Sequence, residues 1–166
     1  MRKLYFAANG ASPTTAAQVV MATTTSINTL LQVATPSTTG ILIIEWGISF
    51  DGVTASNAPV KVELLQTDVA ATAGTSLTPT IWGDPNAPAS LCVGGTGGTM
   101  FNDGAITEGT ITATRMFDVQ LVPPTTGYWK QYPLGREPEV PVSKFVRIRV
   151  TAANAVNAYC YICWEE

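Results

Sequence analysis

Short segments in which apolar and polar residues alternate, divided by glycine, proline and asparagine turn signals, are the feature that most constrains the fold of this chain. The clearest segment spans residues 41–50, where every second side chain from position 42 is large and apolar: Leu42, Ile44, Trp46, Ile48 and Phe50. A period of two is the side-chain period of a β-strand with one buried face. Ile41 and Ile43 fall on the opposite face, which indicates that the start of this strand is buried on both sides.

The sequence divides into eight or nine such segments, and these predict strands without a helix. They cover residues 3–8, 18–24, 27–34, 41–50, 60–64, 110–121, 127–134, 146–150 and 156–164. Residues 27–34 could also form a short helix capped by Ser26, but their threonine and valine content favours a strand. Arg115 interrupts the alternation of residues 110–121, which predicts a β-bulge near residues 114–116.

A chain of 166 residues is long enough for one domain with a single core. Many short strands and no helix predict an all-β fold, an antiparallel β-sandwich that is jelly-roll-like. Residues 1–25 form an N-terminal arm or the first strands, and residues 26–166 form the sandwich. A long glycine-rich loop is inserted at about residues 84–109. Loops of this length are often functional, so this one is a candidate for ordering on a partner.

The absence of histidine excludes Ser–His and Cys–His triads and histidine-bearing zinc sites. We therefore expect a protein that is not an enzyme and needs no cofactor. A net charge of −3 offers no basic footprint for nucleic acid. The longest aliphatic run, residues 41–44, is far shorter than the roughly 20 residues of a membrane span, and the first ten residues lack the apolar length of a signal peptide. Neither nucleic acid nor a membrane is an expected partner.

The cysteines Cys92, Cys160 and Cys163 are odd in number, which excludes a complete disulfide framework and favours reduced thiols. Cys160 and Cys163 have the spacing of a metal or redox motif. They lie in a predicted strand, where side chains three positions apart point to opposite faces. We therefore interpret them as small apolar core residues.

Carboxylates could in principle form a glycosidase pair or a calcium site. The strand positions Glu45, Glu63 and Asp118 are predicted to be solvated, because each lies on the polar side of its strand. The loop residues Asp51, Asp84 and Asp103 do not form the alternating array of a calcium loop. Residues 94–98 are glycine-rich, but no Lys-Ser or Lys-Thr pair follows them, so they predict a flexible loop and not a phosphate-binding loop.

Two groups of side chains are candidates for an interface. The only basic cluster comprises Arg136, Lys144, Arg147 and Arg149. Arg147 and Arg149 point outward together, where they either pair with Glu63 or Glu137 across strands or contact a carboxylate-bearing partner. Tyr159 and Tyr161 lie opposite the core face of the last strand, where either a partner or a second sheet covers them.

Four ordered strings resemble small structural proteins of tailed bacteriophages, those that decorate or cement the head shell. The strings are EWGISFDG at residues 45–52, PVKVELL at 59–65, QYPLGREP at 131–138, and VRIRVTA at 146–152 with the ending at residues 156–165. The resemblance covers residues 27–68 and 128–166, about half of the chain.

This resemblance implies a β-rich homotrimer on the outer capsid surface of a virion, assembled in the host cytoplasm, with the major capsid protein as its partner. It carries no catalytic residues over. The interface residues would be Arg136, Arg147, Arg149, Tyr159 and Tyr161, with residues 1–25 or the glycine-rich loop reaching the capsid. Two alternatives stay open: a glycan- or receptor-binding module of a phage tail or fibre, with Trp82 or Trp129 as stacking platform, and a hydrolase that uses carboxylates alone.

Overall fold

The computed structural model describes residues 3–10, 15, 17–18, 20–54, 58–73, 77–92 and 105–166. These residues form antiparallel strands and no helix, as the alternating pattern predicts. The strands are β1 (Leu4–Ala8), β2 (Met21–Ala22), β3 (Asn28–Ala34), β4 (Ile41–Phe50), β5 (Val60–Thr67), β6 (Thr72–Ala73), β7 (Thr80–Ile81), β8 (Ala105–Thr107), β9 (Thr114–Val122), β10 (Gly127–Gln131), β11 (Glu139–Val140), β12 (Phe145–Thr151) and β13 (Asn157–Glu165).

Two sheets pack face to face as a β-sandwich. The larger, seven-stranded sheet has the order β10-β4-β13-β1-β7, with β11 also pairing β4 and β2 also pairing β13. The smaller sheet has the order β3-β12-β5-β9, and β6 and β8 form a separate ribbon. The predicted sandwich is confirmed, whereas its jelly-roll connectivity stays a prediction.

The core lies between the two sheets and follows the predicted alternation of the central strands. In β12, Val146, Ile148 and Val150 are fully buried. In β13, Cys160 and Ile162 are fully buried on the face that packs against the small sheet. Two sheets that each present one apolar face can remove both faces from water only by packing together.

The start of β4 departs from the predicted pattern. Ile41 and Ile43 are buried in the core, while Leu42 and Ile44 are only partly buried. The pairing of β4 with β13 shifts register here, because Cys163 pairs with Glu45 and Trp164 with Ile43. Such a bulge adds one residue and exchanges which side chains point to each face of the sheet. The alternation before the bulge is therefore out of phase with the alternation after it.

Asn28–Ala34 of the predicted segment 27–34 form strand β3, so the strand interpretation is confirmed over the helical one. The described part of residues 1–25 contains β1, between β13 and β7, and β2 beside β13, while residues 1–2, 11–14, 16 and 19 lie outside the described chain. Of the glycine-rich loop, residues 93–104 also lie outside it. The bulge predicted near residues 114–116 lies one residue later, at Phe117, because Leu64 pairs with Asp118 and Leu65 with Met116.

Part of the chain covers the outer face of the small sheet. Arg147 of β12 donates to the carbonyl oxygens of Glu108, at 2.9 Å, and of Val69. Gln32 of β3 accepts the N–H of Ala71 at 2.9 Å. These bonds fix the segments that flank β6 and β8 against β3 and β12. The two segments form a third layer on the small sheet.

Candidate interaction surface

The outer face of the large sheet carries a row of aromatic side chains, which we call the aromatic strip. Register places Trp129 of β10 and Tyr161 of β13 on either side of Gly47 in β4. Phe6 of β1 pairs with Cys163, so it projects on the same face as Tyr161. The strip consists of Trp129, Tyr159, Tyr161, Phe6 and Trp82.

Four of these rings, those of Trp82, Phe6, Tyr161 and Tyr159, form a connected series. The ring centroids of Phe6 and Tyr161 are 5.3 Å apart, and those of Phe6 and Trp82 are 5.4 Å apart. Tyr159 and Tyr161 are 6.5 Å apart, with ring planes inclined by 36°. These separations lie in the range of favourable aromatic pairs, so the rings hold one another in place.

Gly47 is required for this arrangement. A Cβ atom at Gly47 would lie 2.7 Å from Cε1 of Tyr161, closer than two carbon atoms approach without displacement. The ring of Tyr161 therefore lies directly over the backbone of β4.

The strip is open to solvent at both ends. Trp129 is 59% exposed and Trp82 is 51% exposed, while Tyr159 and Tyr161 are half-buried. A shallow groove of about 300 Å³ lies beside Trp129, and the other residues that line it are Ile48, Ser49, Gly127, Tyr128, Tyr159 and Tyr161. The small sheet packs on the opposite face, so it does not cover the two tyrosines.

Glu45 gives this face a negative charge. Burial and the nearby Glu45 carboxylate raise the pKa of the Tyr161 hydroxyl. Burial, with a smaller contribution from Glu45, raises the pKa of the Cys163 thiol to about 12. Both side chains therefore stay neutral at physiological pH, and the charge of the strip comes from Glu45.

Arg147 pairs with Glu108, in place of the predicted Glu63 or Glu137. Arg147 does project away from the core, but it is fully buried under the third layer. Its Nη1 lies 3.1 Å from the Glu108 carboxylate, whose other oxygen accepts the N–H of Thr29 at 2.7 Å. A charge needs this many partners when it is removed from water, so Arg147 holds the layers of the chain together.

The other predicted basic residues have separate surroundings. Arg149 donates through Nε to Glu63 at 2.9 Å, which confirms the cross-strand pairing. Burial raises the pKa of Glu63, but hydrogen bonds from Arg149 and Lys61 outweigh it, so the pKa lies below its ordinary value. Arg136 is exposed in the turn after β10, and its predicted interface role stays a prediction.

The carboxylates predicted to be solvated do not converge. Glu45 lies on the outer face of the large sheet, Glu63 on the outer face of the small sheet, and Asp118 between the two sheets at their edge. The prediction for Asp118 is wrong, because the bulge at Phe117 turns it inward, where it accepts hydrogen bonds from Lys130 at 3.0 Å and Gln120 at 2.8 Å. Glu63 is also almost fully buried, contrary to the prediction.

A second concavity, of about 330 Å³, is lined by Glu139, Glu165 and Glu166 among others. The Glu166 carboxylate accepts hydrogen bonds from the hydroxyl of Ser90, the N–H of Leu91 and the indole of Trp164. Both of its oxygens are thus occupied in holding residues 90–92 against the large sheet.

The loop aspartates also have protein partners. Asp51 accepts two hydrogen bonds from Asn157, and Asp84 forms an ion pair with Lys3 at 2.6 Å, while Asp103 lies outside the described residues. Within the part of the chain that the structure describes, no three of the His, Cys, Asp and Glu side chains are grouped as metal ligands.

The cysteines occupy the positions expected of packing residues. Cys160 faces the core and Cys163 the outer face, which confirms that the two lie on opposite sides of the strand. Both are buried, as is Cys92. Across the described ranges, no helix is long and apolar enough to cross a bilayer.

Sequence reasoning found Tyr159, Tyr161, Trp82 and Trp129 but did not place them in one strip. The missing element was the order of strands, which brings β1 beside β13 and β7 beside β1. The sequence signal for Phe6 was weak. Phe6 follows the buried Tyr5 in a short strand, so alternation places it on the outer face. Comparison of the chain with protein-family models, curated proteins and solved structures finds no match.

Proposed function

We propose that this chain is a structural protein of a phage virion, which binds the outer surface of the capsid and stabilises contacts between major capsid subunits. The observation that carries the proposal is the aromatic strip, a half-exposed row of rings on a hydrogen-bonded sheet. Tryptophan and tyrosine are the residues most enriched at the energetic centres of protein interfaces. Rings held rigid before binding lose little conformational entropy on contact.

Binding would stabilise the shell by mass action. A protein that binds the closed lattice and not its separated subunits shifts the equilibrium toward the lattice. A homotrimer would strengthen this effect, because its second and third contacts form at high effective concentration. The chain needs no covalent chemistry for this role, and Glu45, Glu63 and Asp118 lie too far apart in the fold to act together.

The test is sedimentation of purified chain with expanded phage heads that lack it, followed by electron cryomicroscopy of the pelleted heads. We expect saturable binding and density on the outer surface where capsid subunits meet. Deleting residues 1–12 is a poor probe of contact, because it removes β1 from within the large sheet. A Trp129→Ala/Tyr159→Ala variant is a sharper one, with Met116→Ala/Leu121→Ala as the matched control.

The control residues Met116 and Leu121 are 67% and 69% exposed on β9 of the other sheet, so their loss removes apolar surface away from the strip. Heads that sediment without the wild-type chain would refute the proposal. Equal binding by both double variants would show that another surface makes the contact.

A glycan- or receptor-binding module of a phage tail or fibre is the second candidate. It is favoured by the exposure of Trp82 and Trp129, since indole rings stack on sugars as well as on proteins. A glycan array with the wild-type chain and a Trp82→Ala/Trp129→Ala variant decides between the two. Binding that disappears in the variant would support this candidate.

A further inference from the structure

Glu45 differs from Glu63 and Asp118, two other carboxylates on the strands of the main sheets. Glu63 is paired with Arg149, and Asp118 is paired with Lys130 at 3.0 Å. Glu45 is half-buried beside Tyr161, and among the described residues it forms no ion pair with a lysine or arginine. A partly buried carboxylate without a counter-charge is costly to maintain and favours a cation from outside the chain.

Among the described residues, the strands of the large sheet offer no cation on this face. Lys130 is the one lysine or arginine within its strands, and it points to the opposite side, toward Asp118. The face of an aromatic ring carries negative charge density, and Trp129, Tyr159 and Tyr161 line the groove. Glu45 does not line it but lies on the same face of β4, two positions from the residue that pairs with Trp129 and Tyr161. The rings and the carboxylate therefore favour the same sign of charge in a ligand.

We propose that the aromatic strip binds an arginine-bearing loop of its protein partner, with the guanidinium against the rings of Trp129 and Tyr161 and paired with Glu45. This inference deepens the proposed function and rests on it for the identity of the partner. Arginine fits better than lysine, because its planar group stacks on rings and donates two parallel hydrogen bonds to a carboxylate. A neutral sugar would stack on the same rings but would leave Glu45 without a counter-charge.

The groove has room for such a group. About 300 Å³ of space lies between Trp129 and the two tyrosines, at the lower end of the range for small-ligand sites. Two arginines separated by one residue in an extended loop project to the same side, about 7 Å from each other, so a second guanidinium could reach Tyr159 when the first lies against Tyr161. That spacing is close to the 6.5 Å between the rings of Tyr159 and Tyr161.

The test is an NMR titration of the ¹⁵N-labelled full chain with the capped peptide Gly-Arg-Gly-Arg-Gly. The same peptide with citrulline in place of arginine is the control ligand, since citrulline keeps the shape and loses the charge. We expect saturable shifts of the Trp129 indole signal and about tenfold tighter binding of the arginine peptide. Glu45→Gln should bring the two affinities together, and Glu139→Gln, at an exposed acid, should change neither.

Equal affinity for the arginine and citrulline peptides would overturn the proposal, and so would the absence of saturable shifts. A cello-oligosaccharide that moves the same indole signal when the arginine peptide does not would replace it with glycan binding. The outcome is separable from that of the head-binding experiment. Peptide binding without head binding refutes the proposed function alone, whereas head binding that survives Glu45→Gln and Trp129→Ala refutes this inference alone.

Discussion

The chain covers part of the outer face of the small sheet and leaves the aromatic strip on the large sheet open. On the small sheet, Arg147 is covered by the chain itself and is fully buried. On the large sheet, Trp129 and the two tyrosines have no such cover from the described residues. Both sets of side chains point away from the core, so alternation alone does not decide which outward face meets solvent. The difference comes from where a distant part of the chain folds back.

The two faces also differ in how they are held. The covered face depends on a buried charge that is paired with Glu108 and donates to two backbone carbonyls. The open face depends on rings that contact one another and on the space left by Gly47. A substitution should therefore affect stability on the first face and recognition on the second.

Replacing Arg147 should have the largest effect. Arg147→Met removes the counter-charge of the Glu108 carboxylate and one hydrogen bond to the Val69 carbonyl, and we expect a loss of about 3 kcal/mol in the free energy of unfolding. Urea denaturation measures this loss. Arg136→Ala, at an exposed position, should change the same quantity by less than about 0.5 kcal/mol. If Arg147→Met is as stable as the wild type, the covered face is not held by this charge.

Filling the space over β4 should have an intermediate effect. Gly47→Ala places a methyl group against Tyr161, and we expect a destabilisation of about 1 kcal/mol, the lower end of the cost of overpacking. In a Tyr161→Ala background the clash is absent, so Gly47→Ala should cost little there. A double-mutant cycle by thermal unfolding measures the coupling between the two sites. Additive effects would show that the ring is free to move away.

Acid should loosen the covered face through Asp68. Hydrogen bonds from the Thr112 hydroxyl and the Ala113 N–H hold the pKa of Asp68 at about 2. Because the pKa is lower in the folded than in the unfolded chain, the contact is stabilising above the ordinary value of about 3.9 and is lost as pH falls toward 2. Carbon NMR of the Asp68 carboxyl should show this low pKa, and the Ala113 amide should lose exchange protection over the same range.

Asp68→Asn is the control for this measurement, because its Ala113 amide should lack the pH dependence. A carboxyl that titrates near its ordinary value would contradict the hydrogen-bonded geometry.

Removing an exposed ring should have the smallest effect on stability. Trp129 is 59% exposed, so Trp129→Ala should alter the free energy of unfolding by less than about 0.5 kcal/mol. Chemical denaturation of the variant beside the wild type checks this. A larger loss would mean that the open face is part of the scaffold, and the contrast between the two faces would then fail.

Much of the fold could be predicted from the sequence, because the period of two is a local signal. It placed Val146, Ile148 and Val150 in the core and Tyr159 and Tyr161 outside it. What it could not supply was long-range information. Arg147 has the parity of an exposed residue and is buried only because Glu108 lies over it.

Asp118 shows a second limit of local reasoning. One extra residue at Phe117 reverses which side chains of β9 point inward, and a single interruption in the pattern does not say where the bulge falls. Only part of the candidate site could be predicted, also because local alternation carries no long-range information. Its tyrosines were found from alternation, but joining them to Phe6 and Trp82 requires the strand order of the folded sheet.

The position of β13 has a consequence for how the molecule forms. This strand lies inside the large sheet between β4 and β1, and the side chain of Asn9 bonds to the backbone of Cys160, 151 positions away. Pairings between such distant segments require large loops to close before any bond is gained, which makes refolding slow. The rings of Phe6 and Tyr161 come together only when β1 pairs with β13, so the aromatic strip should be complete only after this long-range pairing has formed.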